Sequence, residues 1–175
     1  GHGERREVQM RLEELLTTLE RVHPGELGRI AETLGDLGAL AAQEKDWATA
    51  ETHLTRALEL YEAATGRDSM ESNATLARLG AMNHSRGQEA LAKQQLADAM
   101  RGLERANARD TTSYLGASNL LVQCLQTTGD ITGALREIEN GLATARAIHG
   151  DESQSVAALR GSLAQLQLDV GRTDA

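Results

Sequence analysis

Apolar residues recur along the chain three and four positions apart, the spacing that places side chains on one face of an α-helix. Two such stripes follow one another near the start, separated by a short polar stretch. The first stripe contains Ile30, Leu34, Leu37 and Ala41. The second contains Trp47, Ala50, Leu54, Ala57, Leu58 and Tyr61. The pattern predicts a pair of helices, A and B, that pack their apolar stripes against each other.

The two-helix pattern repeats at a lag of 42 residues, which is the separation of Ala50 from Ala92. Positions that coincide at this lag include Ala50, Ala92 and Ala134, and also Leu37, Leu79, Leu121 and Leu163. Gly87 and Gly129 coincide at the turn between the helices, where the first copy has Lys45. One helix pair cannot bury its apolar surface alone, so the units are expected to stack and share a core.

This register divides the chain into units. Residues 1–3 are typical of a tag remnant, and residues 4–22 carry the apolar pattern of a helix B whose helix A is absent. The predicted repeats are 23–67, 68–109 and 110–150, followed by 151–175 as a partial fourth repeat with helix A only. Because neither end has a polar capping repeat, we expect the chain to be a segment of a longer array.

Residue types at the predicted turns mark the helix ends. Asp68 is expected to cap helix A of the second repeat, and Glu71 to complete a capping box. Gly87 is expected to end that helix in the left-handed conformation. Pro24 is expected in the first turn of the first helix A, and Gly171 at a turn after the last one.

Composition agrees with an all-helical fold and counts against several functions. The 175 residues include one proline, no phenylalanine and 2% aromatic residues, which argues against an all-β fold. A net charge of −8 counts against binding to nucleic acid or to an anionic membrane. Cys124 is the one cysteine, so the chain has no intramolecular disulfide. The sequence contains no Cys/His spacing of a metal site, no phosphate-binding loop and no nucleophile with a base partner, so we predict no cofactor, no metal and no catalytic residue.

The signature residues of helices A and B resemble the tetratricopeptide repeat family. They are a Leu followed by a small residue in helix A, then an aromatic residue and two alanines in helix B: Leu37-Gly38, Trp47, Ala50 and Ala57. The 42-residue period is similar to the kinesin light chain type of repeat. Glu89 at the aromatic position and Arg160 at an apolar position depart from the pattern. The resemblance covers residues 23–171 and implies an all-α fold, a right-handed solenoid of stacked antiparallel helix pairs.

In that family the face of helix A opposite the core lines a concave groove that binds proteins or peptides. By resemblance, Asn119 lies where the kinesin light chain type often has an asparagine that holds a peptide. Gln123 and Gln126 extend this amide-rich stretch, whereas the groove face of the first two repeats is small-sided. The candidate groove residues are Glu32, Asp36, Arg78, Ala81, His84, Asn119, Gln123, Gln126, Ser162 and Gln165.

Two interpretations of the groove face stay open. The small residues can simply let successive A helices pack closely, or they can form a smooth wall for a partner peptide whose backbone bonds to the amides. Arg78 is interpreted either as a partner for an acidic group or as one half of an internal ion pair. His84 is a pH-sensing or binding candidate or a bystander, and Cys124 and Trp47 are interpreted as core residues.

The resemblance therefore implies a non-catalytic protein–protein interaction module. Its expected partner is a protein or peptide, not nucleic acid or a membrane, and its expected location is the cytoplasm. One alternative is a regulatory or sensor segment of a larger bacterial signalling protein, such as a kinase or a STAND-type ATPase. Another is a structural spacer that self-associates through its open ends.

Overall fold

The structure, a computed structural model, describes residues 2–173. Within that range it contains eight helices and no strand. The helices are α1 (His2–Val22), α2 (Leu27–Gln43), α3 (Trp47–Thr65), α4 (Met70–Ser85), α5 (Glu89–Arg105), α6 (Thr112–Thr127), α7 (Ile131–His149) and α8 (Gln154–Thr173). The predicted all-α class is confirmed.

Each helix packs against the next one along the chain, so the molecule is an α-solenoid of stacked antiparallel pairs. The A helices also pack against one another in sequence order: α2 against α4, and α4 against α6. The B helices α3, α5 and α7 do not: among the described residues, no two of these helices have Cα atoms within 8 Å of each other. The stack therefore curves with the A helices on its inner face.

The core lies between the two layers of helices. Leu54, Leu96 and Ile138 occupy equivalent positions in α3, α5 and α7, and at most 1% of each residue is exposed. The alanines at 50, 92 and 134 are fully buried one turn earlier. A small residue and a large aliphatic residue thus alternate along each B helix and fill the space against helix A.

The turns between helices A and B use a left-handed residue. Gly87 and Gly129 have φ angles of 81° and 76°, which confirms the conformation expected at Gly87. Lys45 takes the equivalent place with φ 63°, a conformation that costs a residue with a Cβ more than it costs glycine.

Three details differ from the sequence predictions. Ser69, not Asp68, caps α4, because its side chain accepts a hydrogen bond from the Ser72 backbone N–H at 3.1 Å. Pro24 lies in the turn before α2 and not in the helix, whose N-cap is Glu26. The helix α8 continues past Gly171 to Thr173, since a single glycine costs a helix only about 1 kcal/mol. The last two residues lie outside the described range.

The apolar pattern of α1 is only partly buried. Leu19 is 2% exposed and packs with Leu16 against α2. Val8 and Leu15 are 48% and 40% exposed, although the 42-residue lag aligns them with the fully buried Ala50 and Ala57. Helix α1 therefore joins the core through its C-terminal half.

Candidate functional site

A cleft on the inner face separates α6 from α8. Helix α4 lies against α6, but among the described residues no Cα atom of α6 comes within 8 Å of one in α8. Two adjoining cavities of about 340 and 510 Å³ lie in this gap, and both are bordered by Asn119, Leu159 and Ser162. We call the gap the α6–α8 cleft. The larger cavity is lined by Asn119, Val122, Gln123, Gln126, Ile138, Leu159, Gly161, Ser162 and Gln165.

The rim of the cleft is polar and its floor is apolar. Asn119, Gln123 and Gln126 are exposed, and their side-chain amides have no hydrogen-bond partner among the described residues. Each amide offers a donor NH₂ group and an acceptor oxygen, the complement of a peptide backbone. Val122 and Ile138 are buried beneath them. The arrangement suits an extended segment with apolar side chains.

Five of the ten predicted groove residues thus lie together around one cleft. They are Asn119, Gln123, Gln126, Ser162 and Gln165. The Ser162 hydroxyl donates to the carbonyl of Ala158 at 3.2 Å, so its oxygen stays available as an acceptor at the rim.

The predicted residues of the first two repeats form a different surface. The Arg78 guanidinium lies 3.8 Å from the Asp36 carboxylate, and both side chains are about half exposed. Arg78 also covers Gly35, where its Nη1 lies 2.7 Å from the position that a Cβ would take. Arg78 is therefore the internal ion-pair partner that the sequence left as one of two interpretations. An exposed pair of this kind contributes little stability.

Glu32 and Ala81 lie on the same inner face but outside the cleft. Glu32 is exposed on α2, and its charge adds to burial in raising the pKa of the Tyr61 phenol. Ala81 is half-buried on α4. Neither residue contributes a polar group toward α8.

His84 joins two residues that the sequence did not connect with it. Its Nδ1 lies 2.9 Å from Oε2 of Glu89 and 3.5 Å from Sγ of Cys124. Burial, with a hydrogen bond to Glu89 as second cause, raises the pKa of the Cys124 thiol to about 12. The hydrogen bond to His84 lowers the pKa of Glu89. The departure at Glu89, where an aromatic residue is expected, was the sequence signal for this cluster.

A half-buried carboxylate, that of Glu137, is bonded to a residue that lines the smaller cavity. The Ser118 hydroxyl lines that cavity and donates to Oε1 of Glu137 at 3.0 Å. Burial raises the pKa of Glu137 above its ordinary value, and the charge of Glu104 acts in the same direction. Glu137 therefore places a partly desolvated negative charge behind the cleft.

A third cavity, of about 340 Å³ and with a charged lining, lies between α3, α4 and α5, and no sequence pattern predicted it. Its arginines are already paired: Arg105 with Asp68 at 2.8 Å, Arg67 with Glu62 at 3.1 Å, and Arg101 with Asp98. Because these charges compensate one another, this cavity has fewer groups free to bond a partner than the cleft with its unpaired amides.

Residues 29–105 match the family model described as tetratricopeptide repeat. No curated protein matches the chain. Among solved structures, BtubC (BKLC) from P. vanneervenii superposes with a TM-score of 0.80 at 18% identity, over 95% of this chain and 66% of its own length. A putative kinesin light chain of P. anserina with nearly identical TPR-like repeats gives 0.80 at 16% identity, over 98% of this chain and 81% of its own. A point variant of that same protein gives a TM-score of 0.81.

These likenesses establish the fold that the sequence predicted. The family match covers the first two helix pairs, and the superpositions extend the same architecture over nearly the whole chain. The α6–α8 cleft lies outside residues 29–105. Across the described residues, no helix combines the length and apolar character needed to cross a bilayer.

Proposed function

We propose that the chain binds an extended segment of a partner protein along its inner face, because residues 29–105 match the tetratricopeptide repeat model and the fold is similar to that of a putative kinesin light chain. The observation that carries this proposal is the set of exposed, unpartnered amides of Asn119, Gln123 and Gln126 above the apolar floor of the α6–α8 cleft. Tetratricopeptide repeats generally mediate protein–protein interactions, and the proposed module is non-catalytic.

The chemistry of the cleft favours backbone recognition over charge recognition. Asn119, Gln123 and Gln126 are uncharged, and they lie on consecutive turns of α6. An extended chain passing along α6 can give and accept hydrogen bonds there, each contributing about 1 kcal/mol net. Apolar side chains of the segment would cover Leu159 and Ile138. Specificity then comes from the spacing of those apolar side chains.

We place the module in the cytoplasm, where its lone thiol stays reduced.

The test is a pull-down from the lysate of the source organism with three forms of the chain. They are the unchanged chain, the cleft variant Asn119→Ala/Gln123→Ala/Gln126→Ala, and a control, Thr52→Ala/Thr55→Ala, altered on the exposed face of α3. The proposal expects a partner that the unchanged chain and the control retain and the cleft variant loses. A partner retained equally by the cleft variant overturns binding at this cleft.

Self-association is a second candidate function, favoured by the exposed apolar side chains of α1. Val8, Met10 and Leu15 are 48%, 51% and 40% exposed. Val8 and Leu15 lie seven residues apart and share one face of the helix. Sedimentation velocity at several concentrations tests this candidate. If the chain self-associates through α1, its apparent mass rises with concentration. The Val8→Lys/Leu15→Lys variant then keeps the mass of a monomer at every concentration.

A further inference from the structure

We propose that His84, Glu89 and Cys124 form a binding site for a transition-metal ion, with Zn²⁺ as the best-suited ion. The three residues come from the end of α4, the start of α5 and the last turn of α6. Their ligand atoms all lie within 4.8 Å of one another. This site goes beyond the proposed peptide binding and does not depend on it.

The separation of the nitrogen and sulfur atoms fits a tetrahedral metal site. Nδ1 of His84 and Sγ of Cys124 are 3.5 Å apart. With bonds of about 2.0 Å to nitrogen and about 2.3 Å to sulfur, a tetrahedral zinc ion holds these two atoms about 3.5 Å apart. Nδ1 of His84 and Oε2 of Glu89 are 2.9 Å apart, so the carboxylate would have to move slightly outward for both atoms to bind one ion.

The donor set selects the class of ion. One thiolate, one imidazole and one carboxylate suit borderline metals such as zinc and cobalt, whereas Mg²⁺ and Ca²⁺ require several oxygen ligands. When the ion binds, the Cys124 thiol loses its proton to solvent and the sulfur bonds to the metal. The thiolate and the carboxylate then balance the two positive charges of the ion.

The three side chains are largely shielded from solvent, which favours tight binding of an ion. Cys124 is fully buried, and the side chains of His84 and Glu89 are 19% and 18% exposed. Three protein ligands leave one tetrahedral position, which a water molecule or a donor group of a bound segment would occupy. His84 lies on the inner face of the solenoid, so the metal would stand beside the surface that faces a partner.

The repeat register shows that these ligands are specific to one place in the solenoid. Glu89 is equivalent to Trp47 and Ile131, and Cys124 is equivalent to Met82 and Leu166. Apolar residues fill both positions in the other repeats. A carboxylate at a helix-packing position is costly unless it is paired or bound to a metal. Here Glu89 and Cys124 replace those apolar residues, and both contact His84.

Titration of the metal-free chain with Co²⁺ tests the site directly. Cys124 is the one cysteine of the chain, so a thiolate-to-cobalt charge-transfer band can come only from this residue. We expect that band, together with d–d bands of the intensity typical of four-coordination, to saturate at one ion per chain. Zn²⁺ is expected to bleach both.

Matched variants separate the site from a lone thiol. We expect Cys124→Ser to abolish the charge-transfer band, and His84→Gln and Glu89→Gln to weaken Co²⁺ binding at least tenfold. His23→Gln, which changes an exposed histidine, should bind Co²⁺ like the unchanged chain. Circular dichroism of each metal-free variant checks that the helices are retained. Absence of the charge-transfer band in the folded chain, or equal affinity in His84→Gln and Glu89→Gln, would overturn the proposal.

Discussion

Gly80 of α4 lies so close to Leu96 of α5 that a Cβ on the glycine would stand 2.7 Å from the leucine Cγ. Gly38 and Leu54 have the same relationship in the preceding helix pair. In the third pair the equivalent residues are Val122 and Ile138, and both border the α6–α8 cleft. A glycine at this position of helix A thus lets helices A and B pack closely in the first two pairs. In the third pair a valine holds the position and borders the cleft.

The close approach at Gly80 predicts that Gly80→Ala destabilises the fold. Leu96 is fully buried and cannot move aside, so the new methyl group overpacks the contact. Overpacking costs about 1–3 kcal/mol and helix propensity recovers about 1 kcal/mol, so we expect a net loss of up to about 2 kcal/mol. Urea denaturation followed by circular dichroism measures the difference.

Gly116→Ala is the matched control, since nothing lies within 4 Å of the Cβ it would add to α6. It should raise the free energy of unfolding by up to about 1 kcal/mol. Equal effects of the two substitutions would contradict the importance of the Gly80–Leu96 contact.

The capping of α4 predicts different costs at two neighbouring residues. Ser69→Ala removes the acceptor for the Ser72 N–H and should cost about 1 kcal/mol of stability. Asp68→Ala breaks only an exposed pair with Arg105 and should cost about 0.5 kcal/mol or less. Urea denaturation of both variants measures the two losses of stability. A larger loss for Asp68→Ala would show that Asp68 is the cap.

The half-buried carboxylate of Glu137 predicts that the stability of the fold depends on pH. Its raised pKa means that the folded chain holds this proton more tightly than the unfolded chain, in which the pKa of a glutamate is about 4.3. The contribution of Glu137 therefore becomes less favourable as pH rises through the folded-state pKa. Glu137→Gln should be more stable than the unchanged chain at pH 7, and the advantage should shrink near pH 4.

Denaturation at both pH values measures this difference, with Glu139→Gln on the exposed face of α7 as the control. The control should behave like the unchanged chain at both. A Glu137→Gln variant that is less stable at pH 7 would show that the bond from Ser118 outweighs the desolvation of the carboxylate.

The features that depend on sequence period were predictable, whereas those that depend on contacts between distant residues were not. Leu54 and Leu96 follow the helical period, and Gly87 carries the conformational freedom its turn requires. The cap on α4 was misplaced by one residue because Asp68 and Ser69 are both good caps. Only the folded chain shows that the Arg105 guanidinium donates a hydrogen bond to the Asp68 carboxylate.

The candidate site divides in the same way. Asn119, Gln123 and Gln126 share one face of α6 by spacing alone, so their placement was predicted. The gap that exposes them depends on how far α8 lies from α6, which no local pattern encodes. The cluster of His84, Glu89 and Cys124 joins residues up to 40 positions apart and matches no ligand spacing. Because its members come from three helices, only the packing of these helices brings them together.

Nuclear magnetic resonance can show whether a partner segment binds in the α6–α8 cleft. A peptide selected from a random library for binding is titrated into the ¹⁵N-labelled chain, and the side-chain amide signals are followed. Binding in the cleft shifts the signals of Asn119, Gln123 and Gln126 and leaves those of Gln94 and Asn140 on the B helices unchanged. Shifts at Gln94 or Asn140 without any in the cleft would contradict it.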